Sequence, residues 1–152
     1  SGWWIVASKA PAVKAALYAL CQTLYPAPIQ VAYGHPGTDL ESDIVSVGAV
    51  RATQEIATMS PQRNREETIS VDVVFSSFAG GGPEVQQTVT ERAYALCALF
   101  ENYLQTTVYT LSGTARLARV TGADLYESDD AELLALGRLS ELTATVHVEV
   151  RI

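Results

Sequence analysis

Residues 142–152 alternate without interruption. Leu142, Ala144, Val146, Val148, Val150 and Ile152 share one parity, and Thr143, Thr145, His147, Glu149 and Arg151 share the other. Successive side chains of a strand point to opposite faces, so this pattern predicts a half-buried strand in an antiparallel sheet with one packed and one wet face. Val45 and Val47 begin a second long strand, but Val50, Ala52 and Ile56 fall on the opposite parity. Gly48 lies between the two sets, which predicts a bulge there that resets the register. Ile69, Val71, Val73 and Phe75 alternate as the return strand. Shorter alternations at 29–33 and 115–126 predict two further strands.

Helical spacing appears twice. Val13, Leu17, Leu20, Cys21 and Leu24 form one apolar stripe, with Ser8 as a candidate N-cap, Pro11 in the first turn, and Pro26 and Pro28 as stops. Val85, Val89, Ala93, Leu96, Cys97, Phe100 and Leu104 form the other, opened by Pro83 after Gly80-Gly81-Gly82. The order is helix, strand, hairpin, helix, strand, strand. It predicts a single α+β domain: a mostly antiparallel sheet of four to five strands, two helices on one face, and a long projecting hairpin. The far half of that hairpin, residues 51–67, is polar on both faces, and a two-stranded ribbon with no packed face is marginal in water. It is expected either to be mobile or to be covered by a neighbouring molecule.

Composition narrows the function classes. The chain has 152 residues, enough for a substantial core. No apolar run approaches the ~20 residues of a membrane span, and no signal-peptide pattern opens the sequence. Ser1-Gly2 has the look of a fusion remnant. The net charge of −7 argues against a nucleic-acid binder, which needs a basic face, and suits a surface past which DNA slides without being gripped. Cys21 and Cys97 both lie on helix stripes, as buried reduced thiols do.

Reactive constellations are scarce. Gly80-Gly81-Gly82 sits between a strand and a helix, the context of a phosphate loop, yet Pro83-Glu84 follows where Walker A needs Lys and Ser or Thr. Glu84 also puts a carboxylate in the first turn, where it would repel an anion. The acidic clusters Asp39, Glu41, Asp43 and Glu127, Asp129, Asp130, Glu132 lack calcium-loop spacing, and His35 and His147 have no sequence-local partners. No catalytic residue, cofactor or metal is expected. Trp3 and Trp4 are either core plugs or contact anchors.

The layout resembles the tail terminator (tail completion) proteins of long-tailed bacteriophages and related particles. The likeness runs from about Ser8 to Ile152: an opening helix over 11–24, a short strand, a long hairpin with a polar tip at 51–67, a second helix over 83–104 and two closing strands. Gly137-Arg138 leading into 142–152 is its most characteristic stretch. The resemblance implies a non-enzymatic virion protein of the tail or neck, assembled in the host cytoplasm as a ring, usually of six copies. One ring face would stop tail-tube polymerisation, the other would meet a head-completion or connector protein, and DNA would cross the lumen without specific binding. Expected interface residues are Trp3, Trp4, Arg51, Arg63, Arg65, Glu66 and Glu67, with arginines of one subunit meeting carboxylates of the next. The polar ladder Thr143, Thr145, His147, Glu149 and Arg151 completes the set. Another neck component and a small α+β ligand-binding or enzymatic homodimer are the competing expectations.

Overall fold

Five strands and two long helices account for the apolar stripes of the sequence. The structure, a computed structural model, describes residues 8–37, 41–56, 65–106, 110–111 and 113–151. Helix α1 spans Ala10–Leu24 and α2 spans Gln86–Thr106, preceded by a 3-10 turn at Pro83–Val85; a short α3 spans Ala131–Leu136. The strands are β1 (Gln30–Tyr33), β2 (Asp43–Ile56), β3 (Arg65–Gly80), β4 (Leu117–Glu127) and β5 (Gly137–Arg151). They form one mixed sheet in the order β1-β2-β3-β5-β4. All neighbours are antiparallel except β1 and β2, which run parallel.

The even positions of β5 from Leu142 to Val150 are buried, as the alternation requires. They join Val45 and Val47 of β2 and Ile69, Val71, Val73 and Phe75 of β3 in one core with Val13, Leu17 and Cys21 of α1 and Ala93, Phe100 and Leu104 of α2. Both helices therefore cover the same face. Phe75 sits at its centre, its ring 6.4 Å from Tyr25 and 5.7 Å from Phe100 between centroids, spacings at which aromatic pairs attract beyond their area. The Tyr25 hydroxyl donates to the Leu96 carbonyl and ties α1 to α2.

The register slip falls at Gly48: Val47 pairs with Val73, but Val50 pairs with Val71, so one extra residue sits on β2. A second slip lies in β4 between Val120 and Gly122.

Two local expectations need correction. Lys9, not Ser8, is the residue before α1, although the Ser8 hydroxyl accepts from the Ala10 N–H at 3.0 Å. The expected projecting ribbon is also different. β2 and β3 pair as far as Ile56 and Arg65, yet β3 is paired on its other side with β5 down to Glu66 and Arg151. This stretch is thus part of the sheet, and the connection at 57–64 lies outside the described residues.

Candidate functional site

With both helices on one face, the opposite face of the sheet carries no helical layer among the described residues. Cross-strand partners share a face, so register alone assigns its side chains. Ile44, Ser46, Val74, Ser76, Phe78, Leu139 and Glu141 form one end, and Arg51, Ser70, Asp72, Thr145, His147 and Glu149 form the other. The face is accordingly split into an apolar half and a polar half.

The apolar half is the floor of an open trough of about 1280 Å3. Its walls follow from the β1–β2 connection. A parallel pair cannot be joined by a tight hairpin, so the chain must loop back from Tyr33 to Asp43, and Gly34, His35, Pro36 and Gly37 of that return form one wall. Gly34 and Gly37 have φ of 80° and 89°, which glycine adopts without steric cost. Lys14 of α1, its ammonium 4.4 Å above the Tyr33 ring, and Leu133 of α3 complete the rim. α3 is held in place by Asp130, whose carboxylate accepts from the Glu132 N–H at 2.9 Å as an N-cap.

The polar half contains most of the expected interface residues, and their charges have partners within the chain. Arg51 pairs with Asp72 at 3.2 Å, and Glu66 accepts from both Arg116 and Arg151, the latter at 3.2 Å. His147 lies 3.7 Å from Glu149. Exposed pairs of this kind contribute roughly 0–1 kcal/mol each, so they order the surface without anchoring the fold. Thr143 and Thr145 are half-buried, paired in register with Val74 and Asp72.

Glu67 departs from the expectation. It shares the parity of Ile69 and is only 1% exposed, on the helix side of the sheet. Its carboxylate accepts from the Lys9 N–H at 2.7 Å and from the Ser8 hydroxyl. An anion at a helix N-terminus complements the unpaired N–H groups and the dipole, so Glu67 is an internal cap for α1, buried away from any subunit surface. Trp3, Trp4 and Arg63 lie outside the described residues, and Arg65 is described only as the backbone partner of Ile56.

A second polar group crosses the helix side. Asp43, Ser77, Ser140 and Glu127 are consecutive partners on β2, β3, β5 and β4. Ser77 donates to Asp43 at 2.7 Å, Arg92 donates to Asp43 at 2.5 Å, Thr90 meets Ser140 at 2.7 Å and donates to Glu127 at 2.8 Å, and Gln86 donates to Ser140 at 2.9 Å. The row fixes where α2 sits.

The glycine loop is closed by its own chain. Glu84's own backbone N–H and then the Gly82 N–H, at 3.0 Å, donate to its carboxylate and hold the Glu84 carboxyl below its ordinary range. A phosphate would find that position filled by a carboxylate. No cluster of metal-ligating side chains occurs among the described residues, nor any helix long and apolar enough to cross a membrane.

The trough floor escaped the sequence reading although it left a signal. Val74, Phe78 and Leu139 are apolar at positions whose parity is otherwise polar, and such off-phase residues mark a strand with material on both faces.

The fold and this face define an α+β domain with a one-sided helical layer and an open, half-apolar sheet. Compared with models of protein families and with curated proteins, the chain shows no match.

Proposed function

We propose that this chain is a non-enzymatic virion assembly protein: the subunit of a ring, usually of six copies, that caps a phage tail tube, stops its polymerisation and offers a joining surface to the head. The observation that carries the reading is the uncovered sheet face. Ile44, Val74, Phe78 and Leu139 line a trough of about 1280 Å3, and contiguous apolar surface of that kind marks an interaction site. The order of an opening helix, a short strand, two long paired strands, a second helix and two closing strands resembles the tail-terminator layout, with the short α3 and the absence of a projecting ribbon among the described residues as departures from it. The net charge of −7 gives a lumen that lets DNA pass without holding it. The partners in this reading are further copies of the chain, the tube protein and a head-completion protein.

The test is imaging by negative stain after mixing the purified chain with purified tail tubes and, separately, with emptied heads. Ring density at one tube end supports the terminator. Density on heads alone assigns it to the neck as a connector instead, and bare tubes and heads remove both.

The trough also favours one different reading, a pocket for an apolar small molecule. A thermal-shift screen of metabolites decides that case: a saturable rise in melting temperature abolished by Val74→Glu supports it, and a flat screen ends it.

A further inference from the structure

The two lateral edges of the sheet differ in shape and in charge. At one edge α2 stops short of covering β4. A groove of about 310 Å3 lies between Tyr94, Ala98 and Glu101 of α2 and residues 120–123 of β4. Leu125 pairs in register with Leu142 and therefore faces the helix side, yet it is 38% exposed where Leu142 is fully buried. Tyr94, beside the groove, is 48% exposed. The α2 rim of this groove is acidic, with Glu91 and Glu101 both exposed. β4 is the outermost strand, so its outer backbone has no strand partner among the described residues.

The opposite edge is built by α1 over β1 and β2. α1 contains no carboxylate, and the only lysines of the chain, Lys9 and Lys14, lie at its start and first turns. Its outward positions include Ala12, Ala15 and Ala19, all exposed, which allow close approach. One edge thus presents unfilled apolar bulk with an acidic rim, and the other a low-relief surface with a basic rim.

We propose that the α2–β4 edge of one copy receives the α1 edge of the next, with Tyr94 and Leu125 against the α1 surface and Glu91 and Glu101 toward Lys9 and Lys14. The occupant is a second copy because the complementary charge and shape are both on this chain. A symmetric contact through α2–β4 would instead set like carboxylates opposite each other. Because the edges lie at opposite ends of the strand order, the contact is head-to-tail, the arrangement that closes into rings. It assigns the subunit contact of the ring proposed above, and only its closure into a ring rests on that reading.

The full chain carrying a photo-crosslinker at Tyr94 (Tyr94→p-benzoylphenylalanine) tests it, with adducts mapped by mass spectrometry at protein concentrations up to about a millimolar. The expected adducts are intermolecular and fall within residues 9–19. Lys14→Glu should lower their yield about threefold, the scale of an exposed charge pair, and adding Glu101→Lys should restore it. Adducts to α2 or β4 of another copy, adducts elsewhere, or no intermolecular adducts would each overturn the proposal. Adducts on α1 from a protein that leaves tubes bare would keep this contact and remove the terminator reading; capped tubes with adducts elsewhere would do the reverse.

Discussion

Replacing Gly137 by alanine should destabilise the protein far more than the same change at its cross-strand partner, Gly80. A Cβ on Gly137 would lie 2.2 Å from the Ala79 carbonyl oxygen and 2.8 Å from the Phe78 ring, whereas ordinary contact begins at 3.4 Å. The blocking atom is backbone, in a stretch of β3 laddered to β5 at this rung, so it cannot swing away as a side chain would. Relief requires β5 to separate from β3 at the Gly80–Gly137 and Ala79–Arg138 rungs. Overpacking of this kind costs about 1–3 kcal/mol, and each broken backbone hydrogen bond adds about 1 kcal/mol. Gly137→Ala should therefore lose roughly 2–4 kcal/mol, and at this chain length the melting temperature should fall by roughly 5–15 °C. A Cβ on Gly80 meets only the Leu136 carbonyl at 3.7 Å, so Gly80→Ala should be neutral or slightly stabilising. Circular dichroism melts of the two variants beside the parent read the difference. Equal melting temperatures for both would refute the close approach of β5 to β3.

Three further outcomes are expected. Glu67→Ala leaves the Lys9 N–H and the Ser8 hydroxyl without their acceptor in a part-buried site, a loss of about 0.5–2 kcal/mol in urea unfolding, while Glu67→Gln should lose less; parity with wild type would contradict the capping role. Burial pushes the Cys21 thiol from 9.0 up to about 12, and burial with the nearby Glu101 pushes Cys97 up to about 11. The unfolded chain then releases these protons before the folded one, so stability present below about pH 9 should decline as pH rises from about 9 toward 11–12. Denaturant midpoints across that range check the sign, and native thiols should resist a disulfide reagent at pH 8 until unfolding exposes both. Val74→Glu changes the outer face, not the core, so the melting temperature should move by no more than a few degrees while the proposed tube capping is lost; capping at wild-type efficiency would detach the trough from assembly.

Much of the fold is legible in the sequence because burial follows period. The β5 alternation, the two helical stripes and the parity change at Gly48 each became an element or a bulge at the expected place. The direction of β1 was not legible, since a four-residue strand pairs either way and its parallel course depends on the returning loop. Glu67 was misplaced for an instructive reason: its parity with Ile69 put it inside, and charge suggested the surface. A buried carboxylate at a helix start is satisfied by the Lys9 N–H and the Ser8 hydroxyl, 58 and 59 residues away in the chain, which no local pattern reveals. The trough was hidden in the same way, because Val74 and Phe78 on β3 and Leu139 on β5 form one floor only after the strands are paired.

Tube growth in the presence of the chain tests the ring-cap reading most directly. Purified tube protein should stop elongating once about one ring of this chain is present per tube end, giving shorter tubes of uniform length that carry a single terminal ring. Unchanged growth at excess protein, or incorporation of the chain along the tube wall, would contradict it.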